Sequence, residues 1–195
     1  MPARRVQFAP GTYYHIYNRG ANRSTIFRNG DNYEYVLRLI KDEIGKLKLA
    51  MIAYCLMPTH YHWFVRQDGE HPAGKLPQNV FNRYSKAFNN AYNHSGTLFE
   101  TRYKAIVVES DEYIRHLCCY IHCNPVVANL AIAPELWPYS NYVDWIGKRN
   151  GALMDRPFIQ TFFPDIQRYQ QLISDHLQGQ HPIPQGLKEH LSRLS

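Results

Sequence analysis

Residues 48–66 read KLAMIAYCLMPTHYHWFVR, and the fold depends on how this stretch divides. Lys48 to Leu56 and His60 to Arg66 are two apolar, aromatic-rich runs of strand length, and Met57-Pro58-Thr59 between them is short enough for a hairpin turn. Upstream, Thr12 to Asn18 (TYYHIYN) reads as a strand closed by the turn-like Asn18-Arg19-Gly20. Asp31 can then cap a helix from about Asn32 to Leu47, in which Tyr35, Leu39, Ile40 and Ile44 return at helical spacing. Downstream, Pro77 suits the first turn of a second helix reaching Asn93, and Arg102 to Glu109 (RYKAIVVE) reads as a fourth strand. Ser110 offers an N-cap for a third helix that starts with Asp111 and Glu112 and runs to about Cys123, before Pro125.

The order strand, helix, strand, strand, helix, strand, helix predicts an α+β fold of the ferredoxin-like sandwich type. Its sheet is expected to be mostly antiparallel, with four to five strands and helices on one face. After Leu136 the pattern loosens: WPYSNY is aromatic and broken by proline, Asp165 to Leu177 has helical character, and HPIPQG reads as a linker or turn. The expected division is a domain over residues 1–136 and a partly helical appendage over 137–195 packed on it.

A chain of 195 residues with 45% hydrophobic and 14% aromatic content can bury a sizeable core, which excludes disorder along most of its length. The longest apolar run, Leu49 to Met57, is far shorter than a membrane span. The N-terminal MPARRVQFAPG lacks the apolar stretch of a secretory signal, and Cys55, Cys118, Cys119 and Cys123 show no disulfide framework. Reduced thiols and a cytoplasmic location are expected.

The net charge of +6 is unevenly spread. Residues 1–30 hold Arg4, Arg5, Arg19, Arg23 and Arg28 with no acid, and residues 75–104 hold Lys75, Arg83, Lys86, Arg102 and Lys104 against Glu100 alone. The rest of the chain is net acidic. Two basic blocks interleaved with tyrosines suit a polyanion better than general solubility does, although solvated basic faces give the same count. On the second helix Arg83, Lys86 and Asn90 share one polar face, and phosphate contacts there would give salt-dependent affinity without reading sequence.

Within PTHYHWFV (58–65), His60 and His62 are two apart on a strand, so both imidazoles point to one face and can share a divalent metal. Ten histidines make such a pair common by chance, so alone it also fits two unrelated residues. On the third helix Tyr120 and Asn124 are four apart, which stacks a phenol and an amide oxygen on one face. Singly, each has a plainer reading, a core aromatic and a helix terminator before Pro125.

Together, four ordered motifs resemble the REP-associated tyrosine transposases, single-tyrosine members of the HUH (His, hydrophobic residue, His) transposases. They are YYHIYNRGANRSTIF, AYCLMPTHYHWF, NRYSKAFNNAYNHSGTLFETRYKA, and YIRHLCCYIHCNPVVANL followed by WPYSNY, spanning about residues 12–146. The resemblance implies that His60 and His62 hold the metal, that Tyr120 is the nucleophile, and that Asn124 completes the metal site. It implies cleavage and rejoining of single-stranded DNA beside hairpins through a 5'-phosphotyrosine, with Mg2+ or Mn2+ as cofactor. The partners implied are single-stranded DNA and DNA hairpins, with no membrane, and the protein acts as a monomer or homodimer. Arg4, Arg5, Arg19, Arg23, Arg83, Lys86, Arg102 and Lys104 are the expected DNA contacts.

Two departures stand out. Thr59 occupies a position where relatives often carry Asn, and His122 and Cys123 stand where they often carry Glu-Leu. If the helix unwinds before Pro125, His122 competes with Asn124 as third ligand. A zinc site among His116, Cys118, Cys119, His122 and Cys123 lacks a complementary ligand pair. Competing function classes are a non-catalytic single-strand or hairpin-binding module and another HUH nuclease, a replication initiator or relaxase. Tyr113 is the alternative nucleophile. Because two imidazoles suit manganese better than the oxygen-seeking magnesium, calorimetric titration is expected to show tighter Mn2+ than Mg2+ binding. The reverse order would refute the ligand set.

Overall fold

The computed structural model describes residues 6–180. Four strands, β1 (Tyr13–Arg19), β2 (Leu49–Met57), β3 (His60–Gln67) and β4 (Lys104–Val108), form one sheet in the order β2-β3-β1-β4. Every pairing is antiparallel. Helix α1 (Gly30–Leu47) joins β1 to β2, α2 (Lys75–Ala91) joins β3 to β4, and α3 (Asp111–Val127) follows β4. The short α4 (Tyr142–Trp145), α5 (Arg156–Phe162) and α6 (Ile166–Leu177) complete the described chain. The ferredoxin-like α+β class and the antiparallel sheet are as expected.

Helices cover both faces of the sheet, which corrects the expectation of one helical face. The reason lies in the two-residue alternation of the strands. Tyr61, Trp63 and Val65 of β3, with Tyr14 and Ile16 of β1, pack under Val36, Leu39 and Ile40 of α1 and Val80, Phe81 and Tyr84 of α2. Phe64 of β3 and Cys55 and Met57 of β2 point the other way and need their own cover. Leu117, Cys118 and Ile121 of α3 and Tyr169 and Ile173 of α6 provide it. A register shift between Met51 and Ala53 turns both Ile52 and Ala53 towards this second core.

The segment after Leu136 closes the β2 edge. Leu56 N donates to Tyr139 O over 2.9 Å and Tyr54 N to Asn141 Oδ1 over 2.8 Å, while Asn141 Nδ2 donates to Ile52 O over 2.8 Å. These bonds satisfy backbone groups that an edge strand otherwise leaves open. The HPIPQG stretch and Arg4 and Arg5 lie outside the described residues.

Two helix ends differ from expectation and a third agrees with it. Asn29, not Asp31, caps α1, its side chain accepting from Asn32 N over 3.2 Å. Helix α2 starts at Lys75, which leaves Pro77 in the first turn, where backbone N–H groups lack partners anyway. Helix α3 is capped by Ser110 as expected but runs through Pro125 to Val127. Pro125 costs one backbone bond near the last turn, and Ala128 N still reaches Asn124 O at 3.0 Å. Tyr120 and Asn124 therefore stay one turn apart on a continuous helix.

His122 sits on the far side of α3, fully buried, with Nε2 donating to Asn141 Oδ1 over 2.9 Å and Nδ1 accepting from Tyr169 OH over 2.6 Å. It pins α3 to the C-terminal segment. Burial lowers its pKa to about 4, with Asn141 opposing the shift. The unfolded chain takes up this proton near pH ~6.5, so the fold resists protonation and loses stability as pH falls from there towards 4. Thermal melts are expected to show a Tm decline over that range that His122→Asn flattens.

Candidate active site

The site is built on the α3-facing side of β3. His60 and His62 share that side, with ring centroids 5.2 Å apart and the planes nearly perpendicular. Tyr120 of α3 stands edge-on to His62, centroids again 5.2 Å apart. The Asn124 amide, one turn later, interacts with both His60 and Tyr120. The structure thus brings together all four residues that the resemblance singled out, from one strand and one helix of a single chain. His122 is directed elsewhere and bonded at both nitrogens, so its candidacy as third ligand is removed.

A residue missed at the sequence level is His15. In β1 it lies opposite Phe64, so it is a diagonal neighbour of His62. His15 Nε2 lies 3.0 Å from His62 Nδ1, and both rings are fully buried. Alternation puts His15 and Tyr17 on one face of β1, and the β1–β3 pairing is the signal that could have found the contact. His62 Nε2 is buried without a hydrogen-bond partner, as is Asn124 Nδ2. Thr59 Oγ1 lies 3.0 Å from His60 Nδ1, which leaves His60 Nε2 as the nitrogen available to a ligand. Thr59, where relatives often carry Asn, thus contacts the imidazole that follows it.

The electrostatics follow from burial. Desolvation lowers the His60 pKa, Arg19 adding to it and Asn124 opposing it. His62 is pushed well below the usual imidazole range by burial, then by His60 and His15. Both are neutral near pH 7, the form in which an imidazole can bind a metal. Burial pushes the Tyr120 phenol up to about 12, partly offset by the Asn124 hydrogen bond. The partnerless His62 Nε2 and the Asn124 amide fit an ion with mixed nitrogen and oxygen preference. Among the described residues no three His, Cys, Asp or Glu side chains converge as a metal site, so Asn124 and a DNA phosphate would have to supplement the two imidazoles. The zinc alternative is likewise without a converging ligand set among the described residues. Cys118, Cys119 and Cys123 are instead packed in the second core.

The basic residues separate into groups. Arg102 and Lys104 are exposed at the start of β4, with Lys104 Nζ 6.0 Å from the Tyr17 ring centroid. Lys86 and Arg23 are also exposed. Arg19 is bridged to Glu100 at 2.9 Å, and Arg83 leans towards Glu43 of α1 at 3.7 Å. Tyr113, the alternative nucleophile, neighbours Tyr17 electrostatically, whereas the ring standing against His62 is that of Tyr120.

Residues 9–124 match the family model described as "Transposase IS200 like". Among solved structures, the chain is similar in fold to a REP-associated tyrosine transposase bound to a REP hairpin. The TM-score is 0.64 at 16% identity, covering 80% of this chain and 98% of that one. A transposase candidate from Deinococcus radiodurans R1 matches with a TM-score of 0.42 at 13% identity, over 67% of this chain and 96% of the other. No curated protein is significantly similar in sequence.

One proton is shared between His15 Nε2 and His62 Nδ1. If His62 donates it, His62 Nε2 presents a lone pair; if His15 donates, His62 Nε2 carries the proton and cannot bind a metal. His15→Phe, which removes the acceptor, is expected to weaken Mn2+ binding by about tenfold or more in calorimetry, with His15→Gln retaining most of it. Equal affinity in His15→Phe would show that the contact does not orient His62.

Proposed function

The chain belongs to the IS200-like transposases, and on that premise we propose that it cuts and rejoins single-stranded DNA beside hairpins, with Tyr120 as nucleophile. The observation that carries this reading is the Tyr120 ring standing against His62, with Asn124 one helical turn away on the same face. His60, His62 and Asn124 would hold a divalent ion, Mn2+ or Mg2+. When bound, that ion supplies charge to a non-bridging phosphate oxygen and eases departure of the 3'-oxygen.

Tyr120 oxygen attacks phosphorus, the bond to the 3'-oxygen breaks, and that oxygen leaves as a free 3'-hydroxyl after taking a proton. The phenol gives up its own proton in the same exchange. With a pKa pushed up to about 12, Tyr120 stays almost wholly protonated at pH 7, so the step relies on a polarised phosphate and on orientation. His62 limits the swing of the ring, and the Asn124 amide beside the phenol, whose Nδ2 is without a partner, can turn a donor to the developing phenolate. The phosphodiester energy is kept in the 5'-phosphotyrosine, so the reverse attack by a 3'-hydroxyl rejoins strands without a nucleotide cofactor. Arg102, Lys104, Lys86 and Arg23 are the exposed candidates for phosphate contacts. All four central side chains meet within a single chain.

The alternative of a non-catalytic module that displays sheet aromatics to nucleic acid is disfavoured, because helices cover both faces of this sheet. With Mn2+ and a hairpin bearing a single-stranded flank, the wild type is expected to form a covalent protein–DNA adduct on a denaturing gel. Tyr120→Phe should abolish it while hairpin binding persists, and His60→Ala should reduce cleavage by two or more orders of magnitude. An adduct undiminished in Tyr120→Phe would move the nucleophile to Tyr113.

A further inference from the structure

On the opposite side of the sheet from Tyr120, a cavity of about 420 Å3 lies between α2, the end of β1 and residues 99–103. Phe81, Phe99 and Tyr61 form its aromatic wall, and Asn18, Gln78 and Asn82 its amide-bearing rim. Phe81 stacks on Tyr61 at 4.5 Å and meets the edge of Phe99 at 4.7 Å. Tyr61 is fully buried, yet its hydroxyl has no hydrogen-bond partner. The lip is fixed in place: Asn18 Nδ2 donates to Thr101 O over 3.0 Å, and Glu100 N to Arg19 O over 3.0 Å.

We propose that this cavity takes one unpaired nucleobase of the DNA strand that Tyr120 cuts, and so reads sequence at a fixed distance from the cleavage point. The proposal rests on the strand-cleavage reading above. Its chemistry differs from that of a phosphate site, since Arg102 is the only charged side chain among the lining residues. Flat apolar rings and neutral amides able both to donate and to accept suit a base, with a π-face to stack and a polar edge to pair. Gln78 and Asn82 are one turn apart on α2, so their amides present a row of donors and acceptors. The volume falls in the range of small-molecule sites and exceeds that of a single base.

Asn18 at the cavity and Tyr17 beside His62 are consecutive on β1 and point to opposite faces. Lys104 of β4 pairs with Tyr17 at the sheet edge, and Arg102 precedes it at the cavity mouth. A strand passing over this edge would keep its phosphates on Arg102 and Lys104, with one base turned into the cavity and the scissile phosphate on the other side.

The test uses the full chain in EDTA, which prevents cleavage, and fluorescence anisotropy with hairpins whose single-stranded flank carries one abasic site at successive positions. One position is expected to weaken binding about tenfold. The double variant Gln78→Ala/Asn82→Ala, altered only at exposed residues, should weaken the intact flank by a similar factor and show no further loss at that position. Lys104→Ala should weaken all flanks alike and reduce the salt dependence. Absence of a sensitive position, or an abasic penalty unchanged in the double variant, would overturn the cavity assignment. Competition by a free nucleoside monophosphate as strong as by the strand would also overturn it, in favour of a nucleotide site. The Mn2+-dependent Tyr120 adduct, measured in parallel, separates the two ideas: its presence with no base-specific loss rejects the cavity alone, and its absence rejects the cleavage reading.

Discussion

The alternation of side chains along β3 is the constraint on which the rest of the molecule depends. Tyr61, Trp63 and Val65 must face α1 and α2, so His60, His62 and Phe64 must face away from them. A slip of one residue would bury the histidines in the aromatic core and turn Trp63 into the second core under α3. The hydrophobic side of the strand therefore fixes the polar side, and no separate device is needed to aim both imidazoles the same way. Once they are aimed, the second face needs a cover that is apolar near Phe64 and polar near the histidines. Helix α3 has that graded composition, with Leu117, Cys118 and Ile121 packed in the second core and Tyr120 and Asn124 beside the histidines.

Burial has opposite consequences for the two kinds of titratable group in the centre. It favours the neutral form of each, which lowers the imidazole pKa values and raises that of the phenol. For His60 and His62 the neutral form is the one an imidazole needs to bind a metal, so on the proposed reading the desolvation that costs stability at low pH would also prepare them as ligands. For Tyr120 the neutral form is the unreactive one. On the proposed reading, the same apolar cover would make ready ligands and a quiescent nucleophile, as suits an enzyme whose tyrosine reacts only when a phosphate and an ion occupy the site together.

Much of this was legible in the sequence because it is local. The order of elements follows from turn residues and from the change between two-residue and helical periods, and the His60–His62 and Tyr120–Asn124 relations follow from spacing alone. The passage of α3 through Pro125 was not legible. A proline near a helix end can end the helix or sit within its last turn, and the packing of Cys123 and Asn124 between neighbours decides which. The second helical layer was hidden for a similar reason: Phe64 and Cys55 read as apolar without revealing what covers them. His15 lies 47 residues from its partner, and only the β1–β3 register makes them neighbours. The approach of Arg83 to Glu43 at 3.7 Å is hidden in the same way, since only the packing of α1 against α2 brings the two together.

The two edges of the sheet are protected in different ways, and the difference bears on where DNA can run. On the β2 edge, residues 139–141 bond to the backbone of Ile52, Tyr54 and Leu56 and close it to other strands. On the β4 edge, an exposed Lys104 and the adjoining Arg102 discourage pairing by charge. A charged edge remains open to a polyanion where a backbone-capped one is occupied. Because β4 is hydrogen-bonded to β1, that open edge runs beside the strand that carries His15 and Tyr17 on one face and Asn18 on the other. The residues that keep the sheet from aggregating thus also leave a basic crossing between the histidine–tyrosine centre and the aromatic cavity behind it.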